Sequence, residues 1–166
     1  MKTIYKILVS LLIMILLIAA IFFFSEQSGT DSHSISRKIS FRVAKTWTDA
    51  VSVKRPEDTV DYLAYILEQP IRKLAHVCIY TLLGFGSCIV VHILCGRKIR
   101  FWHLFVCILT VALVAALDEF NQYYTVGRGS SFKDVLIDIF GGCIGIYLLF
   151  MVKDFIRHFR NGILRG

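Results

Sequence analysis

Apolar residues fall into four long blocks separated by polar stretches. Ile7 to Phe24 runs 18 residues without a formal charge, Leu74 to Gly96 runs 23, and Phe101 to Leu117 runs 17. Val135 to Val152 runs 18, with Asp138 as its one charge. A hydrocarbon core about 30 Å thick takes about 20 helical residues, within a range of about 17–25. In lipid the backbone must satisfy its own hydrogen bonds, so each block predicts a helix. The fold class expected is all-α: a polytopic membrane protein with four transmembrane helices at about 7–24, 74–96, 101–117 and 135–152. The length predicts a single membrane domain over residues 1–166. The first block exceeds the about 7–15 apolar residues of a signal-peptide core and ends in Phe22-Phe23-Phe24-Ser25, without a small-x-small cleavage site. It therefore reads as a retained span.

The long first loop, Ser25 to Lys73, carries its own pattern. Ile35, Ile39, Val43, Trp47 and Val51 recur every four residues, while Arg37, Lys38, Arg42 and Lys45 lie mostly off that stripe. Such spacing predicts an amphipathic helix lying in the membrane interface. A soluble cap packing on itself is the alternative. Val60 to Glu68, following Pro56 and Glu57-Asp58, predicts a second short helix. Pro70 is placed to start the helix of the second span.

Composition narrows the class. Hydrophobic residues make up 56% and mean hydropathy is +0.65, which excludes a disordered chain, a coiled coil and a small disulfide scaffold. The five cysteines, Cys78, Cys88, Cys95, Cys107 and Cys143, are odd in number, form no CxxC and lie within or at the ends of the blocks. They read as small buried hydrophobes and not as a disulfide framework. His33, His92, His103 and His158 read as interfacial polar residues.

The net charge of +7 is unevenly placed. Lys2 and Lys6 precede the first block, Arg97, Lys98 and Arg100 fill the second loop, and Lys153, Arg157, Arg160 and Arg165 follow the fourth block, against the single anion Asp154. The positive-inside rule puts these segments, and both termini, in the cytoplasm. Anionic lipid at the inner leaflet accounts for the surplus, so no nucleic-acid partner is expected. The first and third loops then face outward.

Three predicted helix ends bring chemistry to that outer side. Arg72, His76 and Tyr80 are spaced i, i+4, i+8 on one face, with Lys73 beside them. Asp118 lies about 25 Å along the third helix from Phe101. Asp118, Glu119 and Gln122 fall within one turn, then Arg128 and Lys133 precede Asp134 and Asp138, which are i, i+4. An unpaired carboxylate at membrane depth costs about 2–4 kcal/mol, so these groups should face one another. Gly141 and Gly145 form a GxxxG that lets another backbone approach, and Gly84 and Gly86 could do the same.

The cluster has two readings. One is a salt-bridge network, Arg72 and Arg128 pairing with Asp118, Glu119 and Asp134, that only holds helices together. The other is an outward-facing polar pocket, with Arg72 as the fork donor for a phosphate or carboxylate, and His76 as acid or base beside Glu119 or Asp138. No GxSxG, HExxH, P-loop or GxGxxG motif is present.

The sequence resembles the VanZ-like family of small bacterial membrane proteins. The resemblance rests on Phe24-Ser25-Glu26-Gln27-Ser28, Arg72-Lys73-x-x-His76-x-x-x-Tyr80-x-x-Leu83-Gly84-Phe85, Asp118-Glu119-x-x-Gln122, Arg128, and Asp134-x-x-x-Asp138-x-x-Gly141-x-x-x-Gly145. It spans roughly residues 7 to 150. The family often carries Asn where this chain has Asp138. The resemblance implies site residues at Ser25, Glu26, Arg72, His76, Asp118, Glu119, Gln122, Arg128, Asp134 and Asp138. It also implies a part in low-level resistance to teicoplanin and related lipoglycopeptides.

Three functions follow as expectations. The first is a module of the bacterial cytoplasmic membrane that binds an anionic envelope lipid or a lipid-linked precursor. Its ligand-binding residues would be Ser25, Glu26, Arg72, Lys73, Tyr80, Asp118, Gln122, Arg128 and Asp134. The second is a membrane enzyme acting on a lipid-linked phosphate at the outer leaflet, with His76, Glu119 and Asp138 as catalytic residues and the carboxylates available to a divalent cation. The third is a flippase. Carriers hold substrate near the midplane and this cluster lies to one side, so a flippase would require a homodimer.

Overall fold

The computed structural model describes residues 2–26, 29–51, 57–95, 101–125 and 129–163, with side chains over most of that range. The described residues form five helices: α1 (Lys2–Glu26), α2 (Gly29–Ala50), α3 (Glu57–Cys95), α4 (Phe101–Tyr124) and α5 (Phe132–Ile163). The all-α expectation holds. Four helical segments, Ile4–Phe23, Asp58–Cys95, Phe101–Tyr124 and Phe132–Arg160, are long and apolar enough to cross a membrane.

Two expectations for the first loop need correcting. Val60–Glu68 is not a separate helix, and Pro70 does not start one. Both lie inside α3, a continuous 39-residue helix. At 1.5 Å per residue α3 is about 58 Å long, nearly twice the hydrocarbon thickness, so its first turns project beyond the bundle. An internal proline costs a helix about 3 kcal/mol. Packing against α2 offsets it, since Ala64 and Glu68 on this projecting part are buried.

The face that α2 buries is distinct from its apolar stripe. Ile35, Ile39, Val43, Trp47 and Val51 all remain exposed. The face against α3 is the neighbouring stripe Ser36, Ser40, Ala44 and Thr48. Small side chains allow close helix approach, and these hydroxyls are satisfied locally. Ser40 Oγ donates to the Ser36 carbonyl at 2.7 Å and Thr48 Oγ1 to that of Lys45 at 2.8 Å, while Ser36 Oγ reaches Glu68 Oε1 at 3.4 Å. Hydropathy marks the apolar stripe. What selects the contact face is size.

The core lies among α1, α3, α4 and α5. Ile21, Tyr80, Leu83, Val111, Val114 and Ala115 form one buried cluster, and Cys88, Cys107, Ile146 and Leu149 form another further along. All five cysteines are free thiols. The expectation of burial holds for Cys88 and Cys107, but Cys78, Cys95 and Cys143 are exposed on outward helix faces.

Glycines set the α3–α5 distance. A Cβ at Gly84 would overlap the Gly142 carbonyl, one at Gly141 would stand 2.7 Å from the Val77 carbonyl oxygen, and one at Gly145 would overlap that of Thr81. The Thr81 hydroxyl lies between the carbonyl oxygens of Val77 (2.7 Å) and Gly141 (3.0 Å). The GxxxG expectation is met at Gly141 and Gly145, and Gly84 joins them. Gly86 does not, since a Cβ there meets only Leu17 and Met14 side chains at 3.7 and 3.9 Å. Gly145→Ala is therefore expected to destabilise the bundle by about 1–3 kcal/mol through overpacking. Gly86→Ala should leave it within about 0.5 kcal/mol. Thermal unfolding of the two variants in detergent checks the contrast.

Candidate functional site

The polar residues predicted for the outer ends of three helices converge at one end of the bundle. α3 supplies Gln69, Arg72, Lys73, His76 and Tyr80, α4 supplies Asp118, Glu119 and Gln122, and α5 supplies Asp134 and Asp138. Helical spacing accounts for each set. His76 and Tyr80 stack with ring centroids 6.5 Å apart and planes at 16°. A cavity of about 320 Å³ opens among them, its wall formed by Arg72, Lys73, His76, Glu119, Gln122 and Asp138 with Gln69, Gly129, Asp134 and Ile137.

Pairing inside the cluster differs from the network expected. Lys73 Nζ, and not Arg72, pairs with Asp134 Oδ1 at 2.5 Å, and both side chains are partly exposed, at 41% and 34%; the expected part of Arg128 lies outside the described residues. His76 Nδ1 lies 3.6 Å from Asp138 Oδ1. Asp118 meets no cation among the described residues. It accepts hydrogen bonds at Oδ2 from the Tyr80 hydroxyl (3.3 Å) and from Gln122 Nε2 (3.2 Å). Arg72 lines the cavity, half-buried, and forms no ion pair among the described residues. It is the cation of the cluster that stays without an ionic partner among the described residues.

Glu119, expected beside His76, is engaged elsewhere. The Ser131 N–H donates to its Oε1. Ser131 in turn caps α5, its Oγ accepting from the Lys133 N–H at 3.2 Å, and its carbonyl from the Asp134 N–H at 2.9 Å. Glu119 thus fastens the end of α4 to the start of α5, where the helix dipole favours a negative charge. The residue that faces His76 is Asp138.

Of the remaining predicted residues, only Ser25 has a described side chain. Ser25 is buried at the end of α1, its Oγ without a hydrogen-bond partner among the described residues, and it does not line the cavity. The Glu26 side chain and Arg128 lie outside the described residues. Gln69 and Gly129 line the cavity although sequence reasoning passed over both. Gln69 was within reach of it, because Gln69, Arg72 and His76 fall at i, i+3, i+7 on one helical face.

Buried and exposed members of the cluster should respond differently to mutation. Lys73→Met breaks a partly exposed pair and is expected to cost less than about 1 kcal/mol. Tyr80→Phe removes one of two donors from a fully buried carboxylate and is expected to cost about 1–3 kcal/mol. Denaturation of the purified variants, compared side by side, measures both.

A family model described as VanZ/LLP1 matches residues 10–153. No curated protein and no solved structure matches the chain.

Proposed function

The chain belongs to the VanZ/LLP1 family and is a multi-pass membrane protein; from that premise we propose that its polar cavity faces outward from the bacterial cytoplasmic membrane and binds an anionic lipid headgroup or lipid-linked phosphate, lowering susceptibility to lipoglycopeptides. The observation that carries this reading is Arg72. A guanidinium at a cavity wall, half-buried and without a carboxylate among the described residues, is a fork donor whose planar geometry matches phosphate. The basic second loop and tail put both termini in the cytoplasm by the positive-inside rule, which turns the cavity toward the outer leaflet.

The test pairs binding with phenotype. Protein in nanodiscs is titrated with a polyprenyl pyrophosphate and with phosphatidylglycerol, and Arg72→Ala is expected to weaken binding of the preferred ligand about 10- to 100-fold, the loss of one charge-assisted hydrogen-bond set. The same substitution is expected to return the teicoplanin inhibitory concentration of an expressing strain to that of a strain without the gene. Unchanged binding together with an unchanged inhibitory concentration contradicts the reading.

A second reading, a membrane enzyme acting on a lipid-linked phosphate, is favoured by the His76–Asp138 ion pair at 3.6 Å, which has to tighten to hydrogen-bond distance for the carboxylate to orient an imidazole acid or base. Product formed from labelled envelope lipids by the wild type, and lost in His76→Gln, would establish it. Binding without turnover leaves the headgroup-binding reading.

A further inference from the structure

Asp118 has one oxygen committed and one open. Both of its donors, Tyr80 and Gln122, converge on Oδ2. Oδ1 is buried and accepts no hydrogen bond among the described residues, in a side chain that is 0% exposed. An uncompensated buried carboxylate oxygen is unfavourable, and two donors sharing one oxygen leave the other turned to something else. His76 and Asp138 stand beside the Asp118 carboxylate. One ligand atom from each of the three lies within 4.8 Å of the other two, and His76 Nδ1 is 3.6 Å from Asp138 Oδ1.

We propose that His76, Asp118 and Asp138 hold a divalent cation where the three side chains meet, beside the cavity that His76 and Asp138 line. Charge is the first argument. Asp118 and Asp138 are 0% and 2% exposed, and among the described residues neither pairs with a lysine or arginine. One divalent ion neutralises both. The donor set is the second argument. An imidazole nitrogen with two carboxylate oxygens suits Zn²⁺ or Mn²⁺ better than an all-oxygen ion, and three protein ligands leave a coordination position open. His76 and Asp138 both line the cavity, so that position faces it. The surrounding shell is the third argument. Tyr80 and Gln122 fix the Asp118 carboxylate through Oδ2, the role that outer partners of metal ligands perform.

The other carboxylates of the cluster are occupied and stay out of the set. Glu119 accepts from the Ser131 N–H, and Asp134 pairs with Lys73. Bonds of about 2.0–2.2 Å place tetrahedral donor atoms about 3.3 Å apart, so the triad draws together as the ion binds. This site goes beyond the headgroup reading and does not rest on it.

The test uses the full chain, purified in detergent without added lipid and stripped with a chelator. It is then titrated calorimetrically with Zn²⁺, Mn²⁺ and Mg²⁺ in turn, and the bound ion is counted by elemental analysis. The wild type is expected to take up one Zn²⁺ or Mn²⁺ per chain, and to bind Mg²⁺ at least tenfold more weakly. Asp118→Asn and His76→Gln are each expected to lose at least tenfold in affinity, while Asp134→Asn stays within twofold of the wild type. His76→Gln leaves both carboxylates in place, and far-UV circular dichroism confirms that it folds, so the result does not depend on Asp118→Asn alone. Absence of saturable binding by the wild type overturns the proposal. So does a loss in Asp134→Asn equal to that in His76→Gln, which would mark general attraction to acidic residues. Because no lipid is present, failure here leaves the headgroup reading standing, and failure of lipid binding leaves the metal site standing.

Discussion

The polar end of this protein depends on how closely α3 and α5 can approach. The two helices run parallel, and their contact follows one line. Lys73 meets Asp134, His76 meets Asp138, Thr81 meets Gly141, and Gly84 meets Gly142. On α5 the positions 134, 138, 141 and 145 share one face, so the carboxylates and the glycines belong to a single interface. In lipid, apolar surface gains nothing by leaving its solvent, so close packing and interhelical hydrogen bonds must hold helices together. Glycine supplies the closeness, and the closeness puts the ionisable groups of α3 within reach of those on α5.

α4 completes the arrangement by bringing two carboxylates with different surroundings. Glu119 is tied to the backbone at the start of α5 and fixes the turn. Asp118, one residue earlier, points into the bundle toward Tyr80 and Gln122. Adjacent acids on one helix are thus divided between scaffold and site by the 100° that separates successive side chains. Arg72 stands at the cavity wall without an ion pair among the described residues, Asp118 is a buried, under-satisfied carboxylate beside His76 and Asp138, and the two proposals rest on these two features separately.

Much of this was legible in the sequence. The four spans follow from hydropathy, and the convergence of Arg72, His76, Tyr80, Asp118, Gln122 and Asp138 follows from helical spacing plus the alternation of spans. The partners were not legible. Whether Asp134 meets Lys73 or Arg72 depends on the rotation of α5 about its own axis, which no pattern in a single chain records. The continuity of α3 through Pro70 was hidden as well, because a proline's local cost says nothing about the packing that offsets it. On α2 the apolar stripe drew the eye, yet the buried face is the small-residue stripe Ser36, Ser40, Ala44 and Thr48. In a membrane protein an apolar face can be left to lipid, and hydrophobicity no longer marks the inside.

The most direct measurement is a side-chain-resolution structure of the protein in a lipid nanodisc. The account predicts a single outward-facing cavity with headgroup density against Arg72 and with His76, Asp118 and Asp138 gathered beside it. Side chains spread around the periphery of the bundle, or a space between α3, α4 and α5 closed by lipid tails, would contradict it.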